Sequence, residues 1–299
     1  MAVGRIKIGV SGLVVVDKPR GITSRMAVDR VIRAAGRVRA GHAGTLDPLA
    51  SGVLVVCLGS ATRLVEEVQA QPKSYRTVVR LGARSDTLDA DGQVEEAIDP
   101  RPPSREELEA AIGPMVGEVD QVPPGYSALK VGGRRAYDLA RTGQAVILAA
   151  RRVRIDRIGI VRYEWPYLEL EVDCGSGTYI RSIARDVGEA VGCGGLVDVL
   201  IRTRIGPFVL DDAISVDALT PETLAAAIRP TVEATAGMPR RSLDPDEIAA
   251  IAAGRSIAAR PGIVAGLMAL VDANGGLVAI AEVTPDLQSI RPRKVLMSQ

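Results

Sequence analysis

The stretch Gly41-His42-Ala43-Gly44-Thr45-Leu46-Asp47-Pro48-Leu49-Ala50-Ser51-Gly52 runs directly into Val53-Leu54-Val55-Val56-Cys57-Leu58. The second segment has the length and β-branched content of a buried strand. The first is dense in small residues and interrupted by Pro48, so it reads as an irregular loop held against that strand. Such loops, fixed to a rigid sheet, are where functional side chains concentrate. This one carries the only histidine of the 299-residue chain and a single carboxylate, Asp47. Taken alone, an Asp in a tight loop is equally a turn former that bonds its own backbone. The rest of the chain has to decide between the two.

Working outward, Leu13-Val14-Val15-Val16 reads as a strand ending in the turn Asp17-Lys18-Pro19-Arg20-Gly21. Ser24 offers an N-cap for a helix whose Met26, Val28, Val31 and Ile32 recur near helical spacing, closing at Gly36. Beyond the Asp47 loop, Tyr75–Leu81 predicts a strand. Ser104 with Glu107 makes a capping box for a short helix ended by Gly113. The stretch from Pro123-Pro124-Gly125 through Gly143 reads as a loop followed by one or two helical turns. Strands near 153–161 and 167–173 then lead to Gly175-Ser176-Gly177 and a helix from about Thr178 to Val191. Strands and helices mix without regular βαβ repetition, which predicts an α+β fold with a mixed sheet.

From Thr220-Pro221 the texture changes. Ala-rich helical segments include Asp244-Pro245-Asp246-Glu247, an N-cap followed by Pro at the first helical position. Two apolar strands, Val264–Val271 and Leu277–Val283, are joined by the hairpin signal Asp272-Ala273-Asn274-Gly275-Gly276. The last apolar segment follows Arg291-Pro292-Arg293-Lys294. These features place a domain boundary near residue 235, dividing the chain into 1–235 and 236–299.

Composition bounds the function. Apolar residues make up 47%, enough for a proper core, but with one Trp, one Phe and six Tyr that core is aliphatic. Cys57, Cys174 and Cys193 are widely spaced and form no CxxC pair, and a single His leaves no zinc constellation. The odd cysteine count and the lack of a signal peptide point to a reduced, cytoplasmic compartment. No apolar run reaches the roughly 20 residues needed to cross a bilayer. The formal net charge of +1 conceals an asymmetry. Residues 1–45 carry nine Lys/Arg against Asp17 and Asp29, and residues 125–157 carry eight against Asp138 and Asp156. Between them, residues 86–120 hold eleven Asp/Glu against Arg101 and Arg105. Such blocks suit a polyanion lying on one face, or an ordinary solvated surface.

Several chemistries fall away. There is no GxxxxGK[ST] and no Gly-rich dinucleotide fingerprint after a strand. Asp89-Ala90-Asp91-Gly92 has the start of a calcium loop, but Thr87 and Ile98 stand where ligands are needed. Ser176 lies in Gly-Ser-Gly without a nucleophile elbow.

Five motifs, in order and spacing, resemble the TruB family of tRNA pseudouridine synthases. Asp17-Lys18-Pro19-Arg20-Gly21-Ile22-Thr23-Ser24 is similar to the family's Lys-Pro motif, and the segment 41–52 to its catalytic-aspartate motif. Lys73-Ser74-Tyr75 resembles the motif whose tyrosine packs on the target base. Pro123 through Tyr137 resembles an RNA-gripping insertion of about 123–152. Cys174-Gly175-Ser176-Gly177-Thr178-Tyr179-Ile180-Arg181-Ser182 is similar to the motif bearing the catalytic arginine. Leu200 falls where the family has an apolar contact to the base. The likeness covers about residues 10–210, and the C-terminal segment resembles the small RNA-binding PUA domain.

The resemblance implies an α+β enzyme. Its catalytic domain has a mixed, largely antiparallel sheet with flanking helices, and a small β-rich PUA-like domain follows. It implies isomerisation of uridine 55 in the T loop of tRNA, with the base flipped from the stack. Breaking N1–C1′ and forming C5–C1′ oxidises nothing and imports no group, so neither cofactor nor metal is required. Asp47 would be the nucleophile or stabilise a cation at C1′, with Arg181 as its permanently charged, planar partner. Tyr75 would stack on the base and is a candidate for proton transfer. His42, Tyr179, Leu200, Lys18 and Pro19 would contact or position substrate. Lys130, Arg134, Arg135 and Arg141 would hold RNA backbone. For His42, a base-catalyst role also suits its near-neutral pKa. The expected partner is a tRNA T stem-loop, without membrane or obligatory protein. The alternatives are a guide-RNA-dependent synthase of other RNAs and an RNA-binding or RNA-folding module.

Overall fold

The computed structural model describes residues 11–126, 130–131, 134–135 and 148–296. A ten-stranded mixed sheet dominates. It is built from β1 (Gly12–Lys18), β2 (Ala40–His42), β3 (Ser51–Leu58) and β4 (Lys73–Leu81). After a separate pairing of β5 (Ala83–Ser85) with β6 (Val94–Glu96), β7 (Gly117–Gln121) returns to the large sheet. A second small pairing joins β8 (Lys130–Val131) to β9 (Arg134–Arg135), within the stretch that reads in sequence as a loop followed by one or two helical turns. The remainder of that expectation lies outside the described residues. The large sheet continues with β10 (Arg151–Glu164), β11 (Tyr167–Cys174), β12 (Gly195–Ile205), β13 (Phe208–Val209) and β14 (Ile214–Ser215).

Its spatial order is β14-β1-β3-β12-β4-β11-β10-β7, with β2 on β3 and β13 on β12. Only β1–β14 and β3–β12 run parallel, so the sheet is largely antiparallel, as expected. Among the described residues four helices pack with it: α1 (Ser24–Ala34), α2 (Val65–Ala70), α3 (Arg105–Ile112) and α4 (Ile180–Ala190). Two more follow, α5 (Pro221–Ala227) and α6 (Pro245–Ala252). A five-stranded, second sheet contains β15 (Arg240–Ser242), β16 (Ile257–Ala258), β17 (Gly266–Val271), β18 (Leu277–Val283) and β19 (Ser289–Val295).

Alternation with both faces covered explains the unbroken apolar runs Leu13–Val16 in β1 and Val53–Leu58 in β3. Val14, Val16, Leu54, Val56 and Leu58 face a core shared with Ala27, Val28 and Val31 of α1 and Ile183, Ala184 and Val187 of α4. Leu13, Val15, Val53, Val55 and Cys57 face the other way, onto Leu64, Val68 and residues Ala269, Val271, Leu277 and Ile280 of the second sheet. Each Val, Leu or Ile among them, fully buried, contributes about 1.5–3 kcal/mol. Strand β4 differs, because its back face is open to solvent. There Arg76 pairs with Glu171 at 3.1 Å and Arg157 with Asp173 at 3.1 Å across the strands. Its other face presents Lys73, Tyr75, Thr77, Val79 and Leu81 inward.

Two close approaches fix the parts that will carry the site. Helix α4 lies against β12 through glycines: a Cβ on Gly188 would stand 2.2 Å from the Gly194 carbonyl carbon, and one on Gly195 2.5 Å from the Ala184 oxygen. At the start of β3, Gly52 has φ +96° and faces Arg202 across the parallel pairing. A Cβ there would be 2.3 Å from the Arg202 carbonyl oxygen. Gly52→Ala therefore meets both a forbidden backbone conformation and a backbone clash. A loss of about 2–3 kcal/mol, read as a lower calorimetric melting temperature, is the expected outcome.

Candidate active site

The Asp47 loop joins β2 to β3 and is tied down along its length. Ser24 Oγ donates to the Leu46 carbonyl at 2.9 Å and accepts from the Leu46 amide at 2.8 Å. The Gly21 amide donates to the Pro48 carbonyl at 2.8 Å, and the Ala50 amide to the Asp47 carbonyl at 3.1 Å. Ser24 is thus a loop anchor and does not cap α1. Thr23 caps it, accepting from the Met26 amide. Lys18 is fully buried and donates to the carbonyls of Pro19 at 2.9 Å and Ile22 at 2.8 Å, holding the turn that meets the loop. Burial pushes its pKa down to about 8, against the pull of Asp47.

Arg181, in the first turn of α4, reaches the loop from the other side. Its Nη2 lies 2.9 Å from Asp47 Oδ2 and donates to the Tyr126 carbonyl at 2.9 Å. Its Nη1 donates to the Thr87 carbonyl at 2.7 Å and sits 3.3 Å from Asp89 Oδ2. The Arg181 side chain is 7% exposed and that of Asp47 38%, so the arginine is sealed in while its carboxylate partner opens to solvent. Asp89 is the buried second carboxylate. It accepts from Thr87 Oγ1 at 2.6 Å and from the Asp91 amide at 3.2 Å. Burial raises its pKa, with the Thr87 hydrogen bond and the Arg181 charge opposing. One guanidinium fork is thereby held by two carboxylates and two carbonyls, which fixes the face it shows Asp47.

The pair opens on a cavity of about 220 Å³. Leu46, Tyr75, Tyr179, Leu200, Lys73 and Arg202 line it, with Ser176, Gly177 and Thr178 at its rim. Tyr75 and Leu200 are buried, and Tyr179 half-buried. Tyr179 is positioned by Gln121, which accepts from its amide at 2.8 Å and donates to its carbonyl at 3.1 Å. Burial pushes the Tyr75 phenol up, with Arg202 acting the other way. Lys73 donates to the carbonyls of Gln69 and Gln71, both at 2.6 Å, and burial brings it down to about 8. His42 ends β2, half-buried beside the cavity and not among its lining. Burial and the Arg202 charge hold its pKa below the usual value, which favours a neutral imidazole. Pro19 is exposed and contributes its carbonyl to Lys18. The side chains of Lys130, Arg134 and Arg135, and the whole of Arg141, lie outside the described residues.

Sequence reasoning missed three charged groups here: Asp89, Lys73 and Arg202. Asp89 had been set aside with the failed calcium loop, and only its pairing with Arg181 reveals it. The Asp47–Arg181 pair joins two segments, 41–52 and 174–182, that lie far apart in the sequence.

Comparison with known proteins decides the family. Residues 32–180 match the sequence model of the TruB family pseudouridylate synthase N-terminal domain, and residues 181–249 that of the tRNA pseudouridylate synthase B C-terminal domain. A tRNA pseudouridine synthase B from Mycobacterium sp. (strain KMS) is 44% identical over 279 residues, spanning 92% of this chain and 93% of its own. The chain belongs to the TruB family of pseudouridine synthases. It is therefore an isomerase. The corresponding Mycobacterium tuberculosis (strain ATCC 25618 / H37Rv) protein is 44% identical over 273 residues, 90% of this chain and 91% of its own. Among solved structures, a Cbf5-Nop10-Gar1 complex contains a chain of the same architecture. Its TM-score is 0.75 at 26% identity, covering 96% of this chain and 85% of that one. An H/ACA RNP bound to a substrate RNA containing 2′-deoxyuridine contains another, with TM-score 0.73 and 25% identity over the same shares. No helix among the described residues is long and apolar enough to cross a membrane.

Proposed function

We propose that this TruB-family enzyme converts uridine 55 of the tRNA T loop to pseudouridine, with Asp47 as the catalytic carboxylate. The observation that carries it is the Asp47–Arg181 pair at the mouth of a cavity walled by Tyr75, Tyr179 and Leu200. A base inside a folded T loop cannot reach that carboxylate, so the target nucleotide is extruded into the cavity. The N1–C1′ bond breaks, the uracil turns, C5–C1′ forms, C5 loses its proton and N1 gains one. Asp47 either bonds the sugar or base or balances the positive charge developing at C1′. Tyr75 and Leu200 present an aromatic and an apolar face to the ring. The mycobacterial relatives, named for tRNA, support the substrate class.

Tritium release from C5-labelled uridine in a bare tRNA transcript tests this directly. Release without guide RNA or added protein is expected, and an unlabelled position 55 in the same transcript should abolish it. A second reading is a guide-dependent synthase, and the likeness to a chain of the Cbf5-Nop10-Gar1 complex supports the need for partner proteins that it carries. That reading gains if release appears only when a guide RNA and partner proteins are supplied. Tight tRNA binding without release under either condition would leave an RNA-binding module.

We also assign the basic stretch around Lys130, Arg134, Arg135 and Arg141 to the tRNA backbone, and residues 236–299 to a PUA-like RNA-binding unit. The second sheet supports the latter through a core of its own, including Leu243, Ile251, Met268, Val278 and Ile290. Each phosphate contact adds roughly 0.7 to 0.9 to the slope of log affinity against log salt. Replacing Arg134 and Arg135 by Ala should flatten that slope by about one to two units, with little change in single-turnover rate at saturating enzyme. An unaltered slope would move the RNA face elsewhere, first to Arg20, Arg37 and Arg39.

A further inference from the structure

Among the described residues Arg202 is the largest of the fully buried side chains, 2% exposed, and no carboxylate lies within ion-pairing distance of it. A buried guanidinium ordinarily finds a carboxylate, because desolvating a charge without one is expensive. Here backbone carbonyls take its place. Nε donates to Val53 at 2.8 Å, Nη2 to Gly44 at 3.1 Å and Nη1 to Thr45 at 3.4 Å. Gly44 and Thr45 precede Asp47, and Val53 follows the loop. One planar group therefore clasps both ends of the segment that carries the carboxylate.

Its position in the sheet makes this a designed meeting point. In β12, Arg202 pairs with Tyr75 of β4 on one side and with Gly52 of β3 on the other. Gly52 is the residue whose missing Cβ lets the Arg202 backbone approach. Arg202 also lines the cavity together with Tyr75. Its charge is felt by Lys18, His42 and Lys73, each held below its ordinary pKa in part by Arg202. Burial is the larger cause in all three. The cavity thus has two arginines with different neighbours. Arg181 is answered by Asp47 and Asp89, whereas Arg202 is held by backbone carbonyls alone.

We propose that Arg202 is a positioning residue for the isomerisation, closing both ends of the Asp47 loop onto β12 and keeping a buried positive charge beside Tyr75 at the cavity wall. This rests on the isomerase reading above. When N1–C1′ breaks, the electron pair stays on the uracil until C5 bonds C1′. A fixed buried cation at the wall favours that state without having to reorganise. Arg202 acts through the loop, through Tyr75 and through its field, with no bond to substrate required.

The test separates charge, bridging and folding. Arg202→Gln loses the charge and cannot reach both ends of the loop. Arg202→Lys keeps the charge but donates from a single point. In C5-tritium release under single turnover with saturating enzyme, the Gln variant should fall about 100-fold while its affinity for tRNA stays within about threefold. The Lys variant should recover about tenfold of that loss. An arginine that merely knits β3 to β12 predicts equal rates for Lys and Gln, each following the fall in melting temperature, and that result overturns the proposal. So does a loss appearing in affinity and not in rate. Should the Gln variant fail to fold, a folded Lys variant running at the parental rate is sufficient to overturn it. A parent enzyme that releases no tritium from tRNA overturns the isomerase reading and this inference with it. An active parent with unaffected variants overturns the inference alone.

Discussion

Asp47→Asn is expected to eliminate turnover while leaving a folded enzyme that still binds tRNA. The substitution keeps the shape of the side chain, and its amide oxygen can still accept from Arg181 Nη2, now 2.9 Å from the carboxylate. Arg181 also retains Asp89 and the carbonyls of Thr87 and Tyr126. Its charge is therefore not stranded, and the severe loss that follows breaking an isolated buried pair does not apply. The ties from Ser24 and Gly21 hold the loop through backbone groups that the substitution does not touch. What disappears is the negative charge, needed both to bond carbon and to balance a cation at C1′. A fall of more than about 1,000-fold in single-turnover tritium release is expected, with tRNA affinity within about threefold of the parent. Activity within tenfold of the parent would remove Asp47 from the chemistry.

Legibility in the sequence followed how locally each feature is determined. The capping boxes at Ser104 and Asp244, the apolar run of β3 and the hairpin between β17 and β18 are set by neighbours in the chain, and the structure has them. Ser24 was misassigned because a hydroxyl near a helix start fits either a cap or a loop anchor. Only the fold shows that Leu46, 22 residues away, claims it. Strand β12, central to the sheet, was not recognised. Asp198, Arg202 and Arg204 interrupt its apolar pattern, and bulges after Val197 and Arg202 break its alternation. Within the site, Asp47, Arg181, Tyr75, Tyr179 and Leu200 are gathered around one cavity from four separated segments. Asp89 and Arg202 were invisible for a shared reason. Each is a charged residue tied to the site by a group distant in the chain, Arg181 for Asp89 and the Asp47 loop for Arg202, and no spacing rule encodes such a partner.

Arg181→Lys should separate the arginine's two duties, holding Asp47 and holding a charge. The guanidinium spans four acceptors at 2.7–3.3 Å: Asp47 Oδ2, Asp89 Oδ2 and the carbonyls of Thr87 and Tyr126. An ammonium has three donors at one point and cannot meet all four. At least one buried acceptor is left unmatched, a penalty of about 1–3 kcal/mol, and the melting temperature should drop accordingly. The kinetic effect has a different origin. With the fork gone, nothing fixes the direction from which Asp47 is held, and a displacement on the order of 1 Å can slow the chemical step about 100-fold. Asp89 sharpens the prediction. Burial already raises its pKa and the Arg181 charge opposes that rise, so a more distant cation lets the pKa climb further. A raised folded-state pKa means stability that is present at low pH and lost as pH rises through it. The Lys variant should therefore lose more of its melting temperature relative to the parent on the alkaline side of the Asp89 titration than on the acid side. Single-turnover release should fall about 100-fold or more, and tRNA affinity by less than about threefold. An affinity loss equal to the loss of rate would make Arg181 an RNA contact, and the carboxylate would need another partner.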